Sequence, residues 1–212
     1  MYVPRFNALD DAGELRALVA AVGSAQLVTL GDDGYPLATL LPVIWDEPTG
    51  RLVFHMARAN AHWQAIGPGA PALAVVTGPE AYVSPAWYAS KAEPGPGHGR
   101  VVPTWNYSAV ELRGRLTVHD DAEWLREAVT RLTDLHEHPR EQPWAVADAP
   151  ETYVEKQLRA IVGVEMTLES VTGKAKLSQN RSPEDRQGVV TGLRAEGSGR
   201  EATVANAMEG LG

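Results

Sequence analysis

Three short apolar segments separated by turn signals constrain the fold of this 212-residue chain more than any other feature. Segments 25–30 and 36–44 flank a Gly-Asp-Asp-Gly sequence at 31–34, which is typical of a β-hairpin. An Asp-Glu-Pro-Thr-Gly turn then leads into the third segment, 51–56. Because short connections join neighbouring strands in antiparallel order, the three segments predict a β-meander.

The rest of the chain alternates between helix and strand signals. Period-2 patterns and apolar runs predict strands at 73–77, 81–83, 109–118 and 162–177. Helical periodicity and capping residues predict helices at 11–22, 60–66, 121–136 and 151–160, and a further helix that begins after Ser182. The fold class is therefore mainly β, an antiparallel barrel with flanking helices. We expect one domain over 1–195, followed by a tail with a weak helix over 196–212.

Composition excludes several classes of function. With 27 acidic and 19 basic residues, the net charge is −8, which argues against direct binding to nucleic acid. The chain has no cysteine, so disulfides, zinc–cysteine sites and thiol nucleophiles are excluded. No apolar run approaches the roughly 20 residues that cross a bilayer. Because the N-terminal residues also lack the apolar stretch of a signal peptide, we expect a cytoplasmic protein without a membrane span.

The segment from Arg58 to His62 is a candidate anion site. It joins a predicted strand to a predicted helix that Asn60 caps. Unpaired N–H groups at a helix start suit a phosphate, and Arg58 would add a charge-assisted bond. The alternative, which the residues alone favour, is that Asn60 only caps the helix, Arg58 is solvated and His62 packs beside Trp63.

Two further segments are rich in residues that bind ligands. Residues 84–107 lack regular periodicity and carry several aromatic residues, which form either a slot for a planar ligand or an interface. Within them, Pro- and Gly-rich residues 93–99 predict an exposed loop. Residues 173–181 hold three cations together with amide and hydroxyl groups, so they predict either an anion site or a solvated loop. His136 and His138 diverge on a helix, and no metal site is predicted.

Five strings in this order resemble the PaiB family, a branch of the FMN-binding split-barrel proteins often described as negative transcriptional regulators. They are MYVPRF, HMARANAHW, AYVSPAWYASK, VVPTWNY and KLSQNRSPEDRQGV, and the similarity spans roughly residues 1 to 193. The resemblance implies a six-stranded antiparallel split β-barrel. It also implies a homodimer in which FMN lies between the protomers.

The resemblance also implies which residues contact the cofactor. The expected phosphate contacts are Arg58, Asn60 and His62. Backbone groups are expected to face the isoalloxazine ring at Thr39, Leu40, Leu41 and Pro42. The residues expected to approach the ring or the phosphate near the dimer interface are Trp105, Asn106, Lys176, Ser178 and Gln179. Among these, Lys176 is the cation that would stabilise an anionic reduced flavin.

Four functional hypotheses remain open at this point. The first is a regulatory, flavin-binding dimer that acts through a partner or indirectly. The second is an FMN-dependent oxidoreductase, either a flavin reductase or similar to pyridoxamine-phosphate oxidase, although no acid–base pair is evident and no catalytic residue is assigned. The third is a structural dimer that has lost its ligand. The fourth is a haem-binding split barrel with His55, His62 or His119 as axial ligand.

Overall fold

The computed structural model describes residues 1–91 and 99–210. These residues form eight strands: β1 (Ala8–Leu9), β2 (Ser24–Leu30), β3 (Pro36–Pro42), β4 (Ile44–Asp46), β5 (Arg51–Ala57), β6 (Pro71–Val83), β7 (Thr104–His119) and β8 (Ile161–Lys176). They also form five α-helices: α1 (Ala12–Val22), α2 (Ala122–Glu137), α3 (Glu151–Leu158), α4 (Pro183–Glu196) and α5 (Gly199–Glu209). Of the helices in this part of the chain, none has the length and apolarity needed to cross a membrane.

The chain divides into two compact units. The first, here called the terminal unit, contains Met1–Leu15, Thr77–Val110 and Thr172–Gly212. The second, here called the sheet unit, contains Arg16–Val76 and Glu111–Val171.

The strands follow the order β3-β2-β6-β7-β8-β5-β4, and β2, β3, β4 and β5 belong entirely to the sheet unit. β2 pairs antiparallel with β3 and with β6, and β5 pairs antiparallel with β4 and with β8. The register sets Leu27 opposite Thr39 and Phe54 opposite Val164. Because β3 stands at one end of this order, one of its edges is hydrogen bonded to no other strand of the described chain. The backbone groups on such an edge are available to a ligand or a partner.

The core of the sheet unit is built from alternating inward-facing strand residues. Its largest fully buried side chains include Leu27, Leu52, Phe54, Leu112, Leu116 and Met166. α2 starts at its N-cap Asp121, whose carboxylate accepts a hydrogen bond from the Trp124 N–H at 2.8 Å. Its buried Leu125 packs in a cluster with Val154 and Leu158 of α3. Both helices therefore bury an apolar face, as the periodicity predicts.

In the terminal unit, α4 and α5 pack together on a second apolar core. The buried residues of this core include Tyr88, Leu177, Val189, Leu193, Val204 and Met208. Ser182 caps α4 by accepting a hydrogen bond from the Asp185 N–H, and Gly197 ends the helix with φ +74°. The tail predicted to hold a weak helix thus contains α5, and that helix buries three residues, Val204, Ala205 and Met208.

Several predicted elements differ from the structure. The apolar segment 36–44 breaks at Val43 into β3, which pairs with β2, and β4, which pairs with β5. The segments predicted at 73–77 and 81–83 are one continuous strand, β6. β7 starts at Thr104, inside the segment predicted to be irregular. The described residues form eight strands, including the two-residue strand β1, whereas the resemblance implies six. Most of the loop predicted at 93–99 lies outside the described residues.

Candidate cofactor site

β3 presents the segment expected to face a flavin ring. In this strand Leu41 is buried, whereas Pro36, Ala38, Leu40 and Pro42 are all exposed. The exposed residues alternate along the strand, so they lie on one face of the sheet. An open strand edge beside an apolar face suits a planar ring, which takes hydrogen bonds at its edge and apolar contact on its face.

His62 is buried beside β3, and its ring is hydrogen bonded to two threonines. Its Nδ1 lies 2.7 Å from the Thr39 hydroxyl oxygen, and its Nε2 lies 2.8 Å from that of Thr29. A neutral imidazole has one donor and one acceptor nitrogen, so one threonine donates and the other accepts. Burial lowers the pKa of His62. The ring is therefore a buried, neutral bridge between β2, β3 and the segment that follows β5.

Asn60 organises the same segment from the other side. Its side-chain oxygen accepts the His62 N–H at 3.0 Å, and its amide nitrogen lies 3.4 Å from the Thr39 hydroxyl. The helix that Asn60 caps is a 3-10 helix over Ala61–Ala65, instead of the α-helix that an anion site would favour. Five residues in this conformation carry only a small dipole. The geometry supports a capping role and brings Asn60, His62 and Thr39 together.

The Arg58 guanidinium is hydrogen bonded to other residues of the sheet unit. Its Nη1 donates to the Asp120 carboxylate at 3.0 Å, and its Nη2 donates to the second oxygen of the same carboxylate. Its Nε and Nη2 also donate to the carbonyl oxygens of Arg159 and Ile161. The hydrogen bonds to Asp120 raise the pKa of Arg58 and lower that of Asp120. A phosphate at Arg58 would compete with a carboxylate, so phosphate contact by Arg58, Asn60 and His62 stays a prediction.

The remaining predicted site residues lie in the terminal unit, where β7 begins and β8 ends. Asn106 is fully buried and forms a reciprocal pair with the Ser178 hydroxyl, with distances of 3.0 and 3.2 Å. Lys176 donates to the Thr104 hydroxyl and to the carbonyl of Trp105. Trp105 is exposed, and its ring meets that of Tyr82 edge-to-face at 6.2 Å.

Gln179 has a local role. Its side-chain oxygen accepts the Leu177 N–H at 2.7 Å, and its amide nitrogen donates to the Ala175 carbonyl. These bonds close the turn in which Ser178 adopts φ +64°, a left-handed conformation that is uncommon for a residue other than glycine. The turn aims the Ser178 hydroxyl at Asn106.

A cavity of about 300 Å³ lies beside this turn. Its lining includes Lys174, Lys176 and Arg181, together with Asn106 and Ser178. The resemblance implies roles for Lys176, Asn106 and Ser178, and the cation-rich segment 173–181 also contains Lys174 and Arg181. Lys174 and Lys176 are two residues apart on β8, so they lie on one face of the strand.

The three histidines considered as haem ligands have different surroundings. Both ring nitrogens of His62 are hydrogen bonded. The ring of His119 stacks on Trp124, with centroids 4.1 Å apart. His55 is partly buried on β5, and burial lowers its pKa. In the described residues, no group of three or more acidic or histidine side chains could hold a metal ion.

Comparison with known proteins decides the family. The sequence matches the family model described as "Putative FMN-binding domain" over residues 1–170. The chain belongs to this family. A Bacillus subtilis (strain 168) protein named Protease synthase and sporulation protein PAI 2 is 29% identical over 211 residues, covering 99% of this chain and 97% of that protein. Uncharacterized protein AN0679 of Emericella nidulans is 30% identical over 213 aligned positions, covering 84% of each. The predicted membership of the PaiB family is confirmed.

A solved structure shares the fold. The FAD and heme binding protein from Mycobacterium smegmatis superposes with a TM-score of 0.59 at 19% identity, covering 91% of this chain and 80% of that one. This likeness concerns the fold, and it confirms the predicted split-barrel class. FMN as the cofactor is confirmed at the level of the family.

The residues present fit parts of FMN unequally. The open edge and apolar face of β3 suit the isoalloxazine ring. Arg58 is less available to bind a phosphate than the sequence suggests, because its charge is already paired with Asp120.

Proposed function

We propose that this PaiB-family chain is a flavin-binding homodimer that acts in transcriptional regulation, with the isoalloxazine of FMN against the open edge of β3. The observation that carries the proposal is the apolar outer face of the β2–β3 hairpin, which lies beside that edge. Thr39, Leu40, Leu41 and Pro42 supply the backbone that faces the ring. Bound FMN would supply electron-transfer chemistry, which the chain's own residues do not have.

The outer face of the hairpin is apolar where a solvated sheet face is ordinarily polar. Leu30, Tyr35 and Leu40 are 67%, 73% and 61% exposed. The antiparallel register pairs Leu30 with Pro36 and Gln26 with Leu40, so Leu30 and Leu40 lie on the same face. An exposed apolar surface of this kind marks an interface.

A second copy of the chain is the partner that this face suits. In a two-fold dimer, the same surface of both protomers meets, so an apolar face is self-complementary. Charged side chains would repel their own copies there, and β3 (Pro36–Pro42) has none. Such an interface would also cover one side of a ring bound at the edge of β3.

His62 and Asn60 support the ring-binding strand from behind. Both contact the Thr39 hydroxyl, so they fix the side chain at the middle of β3. A neutral His62 keeps a positive charge away from this buried position. Their role in the proposal is to position β3, and no proton transfer is assigned to them.

The regulatory role is proposed to be indirect. A net charge of −8 opposes the phosphate backbone of DNA, because binding requires clustered cations. A partner protein would therefore make the contact with DNA. A gel-shift assay with purified protein should show no salt-sensitive, sequence-specific DNA binding, and a specific complex would overturn this part of the proposal.

The decisive experiment compares flavin binding and mass in solution. We expect the purified protein to bind FMN with the absorbance of a protein-bound flavin and to elute as a dimer in light-scattering chromatography. Leu40→Glu should produce a monomer with at least tenfold weaker FMN binding, since it puts like charges on a two-fold interface. The matched control is Leu135→Glu, which adds the same charge at an exposed leucine of α2.

Other outcomes would replace the proposal. A dimer whose FMN affinity is unchanged by Leu40→Glu would place the ring elsewhere. Rapid bleaching of the flavin by NADH or NADPH, followed by turnover on an acceptor, would make the protein an oxidoreductase. A Soret band in place of a flavin spectrum would make it a haem protein. A colourless protein that does not bind added FMN would leave a structural dimer.

A further inference from the structure

The cavity of the terminal unit concentrates positive charge. Lys174, Lys176 and Arg181 all line it. Of the lining residues that the structure describes, none is an aspartate or a glutamate. This arrangement is unusual in a protein with a net charge of −8, because most cations of such a chain find carboxylates nearby.

Lys174 is buried without a counter-charge. Its side chain belongs to a residue that is only 8% exposed, and its Nζ donates to the Tyr2 carbonyl at 3.0 Å. The same nitrogen lies 5.1 Å from the centroid of the Tyr107 ring. Both partners are neutral, and an ammonium group has three N–H donors. Among the ion pairs of the described residues, none includes Lys174.

The three cations act on one another. Burial lowers the pKa of Lys176, and the charges of Lys174 and Arg181 lower it further. Holding like charges together inside a protein is unfavourable unless an opposite charge compensates them. A bound anion would remove this penalty.

The cations are also held in place. Lys176 is oriented by the Thr104 hydroxyl and the Trp105 carbonyl. The Arg181 guanidinium lies 4.7 Å from the centroid of the Tyr88 ring. A side chain that is already fixed loses little entropy when it binds a ligand. The cavity is therefore organised before any ligand enters.

We propose that this cavity binds the phosphate group of a phosphate monoester through Lys174, Lys176 and Arg181. A phosphate monoester carries close to two negative charges and three terminal oxygens near pH 7, which match three cationic donors better than a carboxylate does. The volume of about 300 Å³ leaves room for the group that the phosphate is attached to. The phosphate belongs either to FMN itself or to a separate phosphorylated small molecule. This site does not depend on a regulatory role or on dimerisation.

The test is isothermal titration of the full chain with three probes: inorganic phosphate, FMN and riboflavin. Lys174→Met keeps an unbranched side chain of similar length but removes the charge, and we expect it to weaken phosphate binding about tenfold or more. Lys174→Arg keeps the charge and should restore binding to within a few-fold. The matched control is Lys156→Met on α3, at an exposed lysine. Circular dichroism verifies that each variant is folded.

The probes separate the two sources of the phosphate. If Lys174→Met weakens FMN but leaves riboflavin unchanged, the cavity holds the phosphate of the cofactor. If FMN-saturated protein still binds inorganic phosphate, and Lys174→Met abolishes that binding, the cavity holds a second ligand. Either result supports the proposal. It is overturned if phosphate and FMN bind equally well to the wild type and to folded Lys174→Met. The phosphate titration remains informative even if the chain proves monomeric or does not bind flavin.

Discussion

Arg58 and Asp120 form a bidentate ion pair in which both terminal nitrogens of the guanidinium donate to the carboxylate. The same guanidinium donates to the carbonyls of Arg159 and Ile161, so it joins the end of β5 to the start of β8. The pair lies on the surface of the sheet unit. The guanidinium that the sequence analysis assigns to a ligand thus forms an ion pair within the sheet unit.

Asp120→Asn tests whether Arg58 also binds phosphate. We expect the Kd for FMN to stay within about twofold, because the two carbonyls still hold the guanidinium. The matched control is Glu123→Gln, which removes a carboxylate from the same cleft. Fluorescence titration of FMN measures both variants. If Asp120→Asn binds FMN more than threefold tighter and Glu123→Gln does not, the freed Arg58 contacts the phosphate as the resemblance implies.

The lowered pKa of His62 should make the free energy of unfolding depend on pH below 6.5. Burial lowers the pKa of the folded state below the usual value of 6.5. The unfolded chain therefore binds a proton first, and the stability that neutral His62 contributes is present above pH 6.5 and is lost as pH falls below it. The slope is at most about 1.4 kcal/mol per pH unit for one proton.

Two measurements check this expectation. Proton NMR of the histidine rings, assigned by comparison with His62→Gln, should give a pKa for His62 below 6.5. Urea unfolding between pH 7.5 and 5 should show a shallower loss of stability in His62→Gln than in the wild type. The hydrogen-bonding prediction fails if Thr39→Val leaves stability unchanged, since it removes the partner of Nδ1.

Asp46 should contribute stability in a different pH window. Hydrogen bonding by Thr49, followed by the charge and hydrogen bond of Arg131, holds the pKa of Asp46 below its usual value of 3.8, although burial opposes this. The contribution is present above pH 3.8 and is lost as pH falls through the lower pKa of the folded state. Arg131→Met should lower the free energy of unfolding by about 1 kcal/mol at pH 7. This difference should shrink as pH falls below 3.8. A difference that is constant from pH 7 to 3 would contradict the role of charge.

The local signals of the sequence suffice for the caps and hairpins. Asp121 and Ser182 accept hydrogen bonds from the backbone of the helices that they are predicted to start. The Gly-Asp-Asp-Gly turn connects β2 to β3 as expected, with the N–H of Gly31 donating to the carbonyl of Tyr35. Each of these features depends on residues that are close in sequence, so local chemistry determines it.

The start of β7 could not be predicted because its polarity pattern is inverted. Asn106 and Ser108 point inward and are buried, whereas the aromatic Trp105 is exposed. The buried Asn106 side chain is hydrogen bonded to Ser178, which lies 72 residues away in the sequence. A strand whose polar side faces inward is not recognisable from the usual alternation.

The same limit applies to the site. Asn60 and His62 lie beside β3, and the Asp120 carboxylate that binds Arg58 lies 62 residues further along the chain. The cationic cavity depends in part on Tyr2, whose carbonyl binds a lysine 172 residues away. Both arrangements arise from tertiary contacts, which neither spacing nor composition contains.

Trp87 and Gly192 provide the sharpest test of packing in the terminal unit. A Cβ at Gly192 would lie 2.2 Å from the Trp87 ring, so α4 passes the ring at a position where only glycine fits. Gly192→Ala should lower the free energy of unfolding by about 1–3 kcal/mol, because the ring has to move. The control is Gly199→Ala, where an added Cβ meets nothing within 4 Å.

A second substitution separates this clash from a general effect on the helix. Alanine has a higher helix propensity than glycine by about 1 kcal/mol, so Gly192→Ala should stabilise α4 once the ring is absent. In a Trp87→Leu background, we therefore expect Gly192→Ala to be neutral or stabilising. Urea unfolding of the four proteins in this double-mutant cycle measures the coupling directly. Equal destabilisation in both backgrounds would mean that the Trp87 ring does not contact α4 at Gly192. That result would contradict the packing of Trp87 against this helix.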